Sequence, residues 1–178
     1  NFVVENRAGA GGTIGSLAIS SAAPDGYTVG APLLSSLSLA TAINPAVQYD
    51  PSAGFTHIAY IAGAPVVLAA SQKTKVKSLP EFVRHAQADH FTYATAGVGT
   101  DGHLAGELIA ENLKIKTEHV PYKSAAQGMT DVVAGHVPFS TFNIGSATAF
   151  LRSGQINGVA VTSRQRLPDY PDLPTFAE

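Results

Sequence analysis

Phe91-Thr92-Tyr93-Ala94-Thr95-Ala96-Gly97-Val98-Gly99-Thr100-Asp101-Gly102-His103-Leu104-Ala105 decides the fold: a β-prone run, a turn built on glycines, then a helical pattern. Phe91–Ala94 reads as a strand. Leu104, Leu108 and Ile109 recur at helical spacing, carrying an amphipathic helix through Asn112. An earlier stretch, Ala8-Gly9-Ala10-Gly11-Gly12-Thr13-Ile14-Gly15-Ser16-Leu17-Ala18, repeats the turn. With one glycine dropped, both read A-G-x-G-T-x-G-x-L-A. Glycine lets a backbone approach a ligand closely, and a helix start presents unpaired N–H groups at the positive end of its dipole. Two such turns are candidate seats for a small anion bound between them. A chain with 17 glycines also produces look-alike turns by chance, so the pattern alone leaves function open.

Outward from the second turn, strand and helix alternate. Thr117–Val120, Val137–Thr141 and Val159–Thr162 read as strands, and Ser124–Gly135 and Ala147–Ser153 as helices, the latter closed by Gly154. This βαβ spacing predicts a mainly parallel sheet flanked by helices. Upstream, Ser78-Leu79-Pro80-Glu81 opens a helix running to about Ala88, with serine capping and proline in the first turn. Val66–Ala70, Ile58–Ile61, Tyr27–Ala31 and Phe2–Val4 are short strand candidates. Ile14–Ala23 reads as a helix ended by Pro24-Asp25-Gly26. Pro32–Ser38 is a serine-rich loop entering a short helix that ends before Asn44-Pro45. Ser71–Lys77 is polar and lysine-rich, as expected of a lobe boundary. The expected division places 1–70 in a first lobe, 71–162 in a second, and 163–178 returning toward the first.

Composition narrows the class. Hydrophobic residues make up 45% and charged residues 13%, which fits a buried α/β core and argues against disorder. A net charge of -2 provides no electrostatic footprint for nucleic acid or an anionic membrane. Cysteine is absent, which excludes disulfides and a thiolate nucleophile. No apolar stretch reaches membrane-spanning length. The chain begins at Asn1 without Met and stops at Glu178; it is expected to be cut at both ends, so the lack of a visible signal peptide carries no information.

Gly97, Gly99 and Gly102 match the G-x-G-x-x-G spacing of dinucleotide sites, but the first turn does not. The acidic residue expected about twenty positions on falls near Glu118, inside a strand and not at its end. A nucleotide-dependent α/β enzyme using the Gly97–Gly102 loop is therefore the alternative reading. No G-x-S-x-G elbow accompanies the serines. His57, His85, His90, His119 and His136 lack metal-ligand spacing and read as surface or packed residues. His103, in the first turn of its helix, either donates to a bound carboxylate or caps the turn. Ser35, Ser36 and Asn143 follow candidate strands, where open α/β sheets bind ligands. The candidate ligand-binding set is Ser35, Ser36, Thr95, Gly97, Val98, Gly99, Thr100, His103 and Asn143. No catalytic residue, metal or cofactor is expected.

Several segments together resemble one family. Val3-Val4-Glu5-Asn6-Arg7-Ala8-Gly9-Ala10-Gly11-Gly12 is similar to the V-V-E-N-R-P-G-A-G-G segment of Bug (TctC-type) solute receptors of tripartite tricarboxylate transporters. Ala23-Pro24-Asp25-Gly26-Tyr27-Thr28, Ile43-Asn44-Pro45 and Tyr49-Asp50-Pro51 match the landmarks that follow. Ala96-Gly97-Val98-Gly99-Thr100 with His103-Leu104-Ala105, then His119-Val120-Pro121-Tyr122-Lys123, continue in order. Asp169–Glu178 resembles the late L-P-x-x-P-T-x-x-E segment.

The resemblance implies a two-lobed periplasmic receptor of type II binding-protein architecture, with mainly parallel sheets and here an incomplete first lobe. It also implies a small carboxylate ligand held by backbone amides, hydroxyls and waters, membrane components of a transporter as partners, and no enzymatic activity. Relative to the family, the chain lacks the N-terminal strand with its P-x-G-G-x-D loop and the C-terminal helices. Ala8 replaces a usual proline, and Ser124 a common glycine. Phe142 precedes Asn143 where aspartate is common, which weakens the case for recognising a ligand amino group.

Overall fold

The computed structural model describes residues 1–178. Its helices are α1 (Thr13–Ser20), α2 (Leu34–Leu37), α3 (Leu39–Ile43), α4 (Leu79–Ala88), α5 (Asp101–Leu113), α6 (Ala125–Ala134) and α7 (Ile144–Arg152). Its strands are β1 (Val66–Ser71), β2 (Phe91–Thr95), β3 (Thr117–Pro121), β4 (Phe139–Asn143) and β5 (Ile156–Val161), which form one sheet in the order β3-β2-β4-β1-β5.

β2 pairs in parallel with β3 and β4, whereas β1 lies antiparallel between β4 and β5. Strands β2 to β5 thus share one direction, as the alternating pattern predicts, and β1 alone runs against them. Every residue of β1 is buried, so its side chains supply core to both faces. Val67 and Ala69 join Met129, Val132, Phe142 and Ala147 beneath α6 and α7. Leu68 and Ala70 join Phe82, Phe91, Tyr93, Ile109 and Phe139 beneath α4 and α5. The period of two in one strand places helices on both sides of the sheet.

Local chemistry sets the helix ends. Thr100 accepts from the His103 N–H at 3.3 Å and caps α5. Ser124 accepts from the Gln127 N–H at 3.3 Å and caps α6, which Gly135 closes at a φ of 72°. At α4 the Ser78 side chain makes no capping bond; Glu81 instead accepts from the Lys77 N–H at 2.7 Å. Beyond β5 the chain folds back on the sheet. The Val161 N–H donates to the Pro174 carbonyl at 2.9 Å and the Phe176 N–H to the Val161 carbonyl at 3.0 Å, burying Leu173 and Thr175.

Within residues 1–65 the expected helices form but the expected strands do not. This segment holds only α1, α2, α3 and a short 3-10 turn at Ala10–Gly12. Phe2–Val4, Tyr27–Ala31 and Ile58–Ile61, expected as strands, are unpaired, and Phe2 is 99% exposed. The physical reason is that a strand exists only beside another, and no extended segment of this chain runs along these three. The helices themselves are tied together. Ser16 Oγ and Ser36 Oγ lie 3.0 Å apart, and Tyr49 donates to the Ser36 carbonyl at 2.5 Å.

Candidate functional site

Strand β2 ends at Thr95, and the chain turns through Gly97 and Gly99, at φ of 124° and 76°, into α5. Both values lie where a side chain is strained, so the glycines are required by the path itself. Thr95 Oγ1 accepts from the Gly97 N–H at 3.1 Å, and Thr100 Oγ1 donates to the Gly97 carbonyl at 2.8 Å. The Gly99 N–H donates to His103 Nδ1 at 3.3 Å. The N–H groups of Val98 and Thr100 donate to no group of the chain. They are among the free donors at this helix start, the arrangement that suits an anion.

A column of rings runs from the core to this turn. Phe91 stacks on Tyr93 at 4.7 Å, Tyr93 on His119 at 5.2 Å, and His119 on His103 at 4.2 Å between centroids. His119 Nε2 lies 2.6 Å from Thr95 Oγ1. Burial, then the neighbouring His103, pushes the His119 imidazole down to about 4, so it is neutral at ordinary pH. The Tyr93 hydroxyl donates to Glu107 at 2.5 Å, and burial followed by that bond pushes its ionisation well above the usual phenol range.

The first glycine turn is seated against the second. A methyl group added at Gly11 would lie 2.8 Å from the Val98 carbonyl oxygen, and one added at Gly97 would lie 3.1 Å from the Gly11 nitrogen. A methyl group at Gly99 would touch Ile43 at 3.1 Å. Between these elements opens a cavity of about 280 Å³. One wall is Gly97, Val98, Gly99, Pro121, Tyr122 and Lys123; the other is Ala10, Ala40, Ile43 and Asn44. A larger groove of about 640 Å³ lies over α4 and α5, but Leu79, Val83, Leu104, Leu108 and other apolar chains line it, with Asp101 at its edge. Its polar lining is confined to Asp101, Asn112 and Thr162, and no run of free backbone N–H groups at a glycine turn opens onto it.

Of the sequence candidates, Gly97, Val98 and Gly99 line the smaller cavity. Thr95 and Thr100 stand behind them, with hydroxyls committed to the turn. The Thr100 hydroxyl bonds the Gly97 carbonyl, which the turn leaves within its reach, and so is not free for a ligand. His103 caps the turn rather than lining the cavity. Ser35 and Ser36 are buried near the first turn: Ser36 Oγ donates to the Leu33 carbonyl at 2.7 Å, and Ser35 Oγ has no partner in the chain. Asn143 ends β4, at the same C-terminal end of the parallel strands as Thr95, and its Oδ1 is buried and unpartnered. Tyr122 and Lys123 enter the cavity wall unforeseen; only their position after β3 could have marked them. The Tyr122 hydroxyl donates to Asp131 at 2.6 Å, and burial with that bond pushes it up to about 12. Glu118, the acidic residue that a dinucleotide site would place beside the turn, accepts from Thr92 Oγ1 at 3.2 Å on the exposed sheet edge.

Three solved structures are similar to this chain over nearly its whole length. The chain resembles the structure of the periplasmic binding protein BugD, with 32% identity and a TM-score of 0.88, covering 97% of this chain and 58% of that one. It resembles R. palustris Rpa4515 with adipate, with 29% identity and a TM-score of 0.91, covering 99% and 60%. It also resembles MatC (Rpa3494) from Rhodopseudomonas palustris with bound malate, with 31% identity and a TM-score of 0.84, covering 94% and 57%. The chain spans about half the length of the curated relatives it matches. The family model of the tripartite tricarboxylate transporter family receptor matches residues 1–178, and the chain belongs to that family.

Proposed function

We propose that these residues are part of a periplasmic receptor that captures a small carboxylate and delivers it to the membrane components of a tripartite tricarboxylate transporter, without chemistry of its own. The observation that carries this reading is the pair of unpaired N–H groups, Val98 and Thr100, at the start of α5 beside a 280 Å³ cavity. Adipate and malate in the two similar structures support a carboxylate as occupant. In this reading Gly97 and Gly99 let the ligand reach the backbone, and Thr95, Thr100 and His103 hold the turn. Ser35, Ser36 and Asn143 stand outside the cavity wall and are kept as candidate contacts through the unpartnered Ser35 Oγ and Asn143 Oδ1, and Lys123 supplies positive charge at the rim. The proposed lobes keep the sequence division at 162/163, while the first boundary moves from 70/71, which would cut β1, to just before Val66. The pairing of β1 with β4 and β5 supports drawing the first boundary just before Val66.

Each bond from a neutral N–H to a charged acceptor contributes about 1.5–3 kcal/mol. Gly99→Val, which crowds Ile43 and strains a φ of 76°, is therefore expected to weaken binding of malate or adipate to the intact receptor at least about tenfold. Calorimetry checks this. Unchanged affinity would remove the turn from the site, and failure of the intact receptor to bind any small carboxylate would overturn the function.

A further inference from the structure

Two imidazoles hold the two ends of the Gly97–Thr100 turn. His103 Nδ1 accepts from the Gly99 N–H at 3.3 Å, so in the neutral ring the proton resides on Nε2. His119 Nε2 meets Thr95 Oγ1 at 2.6 Å, and that same oxygen accepts from the Gly97 N–H. The rings stack with centroids 4.2 Å apart and planes inclined by 23°. Two positive charges at that distance repel strongly, so the pair holds one proton at most near neutral pH.

The surroundings decide which ring takes it. From β2, Tyr93 stacks on His119 and places its hydroxyl 3.5 Å from the His103 carbonyl oxygen. From α5, Glu107 accepts the Tyr93 hydroxyl and is the nearby anion. Asp101 lies at the edge of the apolar groove on the other side of the helix. From α3, Ala40 and Ile43 meet the turn at Gly99 and bring no charge. Burial holds His119 neutral, so a proton entering the pair settles on His103.

We propose that the turn captures its carboxylate together with one proton from water, taken up at His103 Nδ1. This rests on the carboxylate reading above. In the empty receptor, Nδ1 is the acceptor for the Gly99 N–H. An arriving carboxylate oxygen takes over that N–H, beside those of Val98 and Thr100. Nδ1, released from its donor, gains the proton and turns from acceptor into donor toward the same anion. His119 is a positioning residue: its stacked, neutral ring fixes the plane of His103 without competing for the proton. The sign follows. Because the bound state holds more protons than the free state, affinity rises as pH falls through the imidazole range, by at most about tenfold per pH unit. Aliphatic carboxylates remain largely ionised there.

The test is calorimetry of the intact receptor with malate and with adipate at pH 6, 7 and 8, in buffers of different ionisation enthalpy. Uptake of about 0.5–1 proton per ligand near pH 7 is expected, with affinity about tenfold or more higher at pH 6 than at pH 8. His103→Asn places an amide acceptor near the position of Nδ1 but has no titratable proton. It should abolish both the uptake and the pH slope. Zero uptake in the parent protein, or uptake unchanged in His103→Asn, overturns the proposal. A second arm needs no ligand: in amide spectra of the empty receptor, the Gly99 signal should move with the His103 imidazole titration. A Gly99 signal that ignores that titration also overturns it. If neither probe binds at any pH, the carboxylate reading fails for both ligands, and the Gly99 titration alone decides the coupling.

Discussion

The two glycine turns are a natural experiment in what a short sequence can specify. Each opens on a glycine at a φ of 124°, Gly9 in one and Gly97 in the other. In each, a threonine hydroxyl donates to the carbonyl three residues back: Thr13 to Ala10 at 2.9 Å, Thr100 to Gly97 at 2.8 Å. Each is followed by a helix. Beyond that the regions part. The second turn leaves a buried strand and opens a 13-residue helix lying across the sheet. The first leaves an exposed segment and opens an 8-residue helix packed on α2. The shared pattern encodes dihedrals and a cap, while the strand before it and the length after it come from tertiary partners.

The widest expected gap between the turns lies at the aligned glycines 102 and 15. A methyl group at Gly102 would collide with the Thr141 carbonyl oxygen of β4, a backbone atom that cannot step aside. Gly102→Ala should cost about 3 kcal/mol by forcing α5 off the sheet. A shift in the urea midpoint of less than a third of that would break the comparison. Next come the threonines. Thr100 is 6% exposed and serves both the Gly97 carbonyl and the His103 N–H, so Thr100→Val should cost about 1–2 kcal/mol. Thr13→Val, at a partly exposed turn, should stay within about 0.5 kcal/mol.

The turns should also differ in their response to acid. His119 falls from an ordinary 6.5 to about 4 on folding, so the unfolded chain binds more protons between those values. Stability is therefore full above about pH 6.5 and is lost as pH falls toward 4, by about 1–2 kcal/mol after allowing for its partial solvent exposure. His119→Gln should flatten that part of the stability profile measured by denaturation. Residues 8–18 contain no titratable side chain, so the first turn adds no such slope. The smallest effect is at Gly15. A methyl group there meets only the Arg7 carbonyl at an ordinary 3.4 Å, and Gly15→Ala should leave stability unchanged or raise it by about 0.5–1 kcal/mol through helix propensity. A marked loss would mean that the first helix is packed as tightly as the second.

Residues 66–178 were largely legible because local and periodic signals agree there. Ser78 to Ala88, the turn at Gly97, and the caps at Ser124 and Gly135 each pair a stop or start residue with an apolar period. The direction of β1 was not legible, since an all-apolar run buried on both faces carries no arrow. Phe2–Val4 and Ile58–Ile61 read as strands on composition alone but have no neighbour in this chain. At the site, Gly97 to Gly99 stood out because positive φ demands glycine. Ala10, Ala40 and Ile43 did not, because such residues are ordinary anywhere. His119 read as a packed or surface residue; its stack on His103 needs β3 paired with β2 in register, Tyr93 opposite His119.

The placement of β1 sets an order of events in synthesis. Of the strands in this sheet it is made first, yet its neighbours are β4 and β5, and Val67 lies opposite Val161. At roughly 5–20 residues per second, an emerging β1 waits on the order of 5–20 s for the strand that completes its pairing. Throughout that interval a six-residue ribbon of Val, Leu, Ala and Ser, wholly buried once folded, has open hydrogen-bonding edges on both sides. The nascent chain is therefore most exposed to mispairing with its own kind while the middle of the sequence is being made, and slowing elongation there should cost yield before it costs stability.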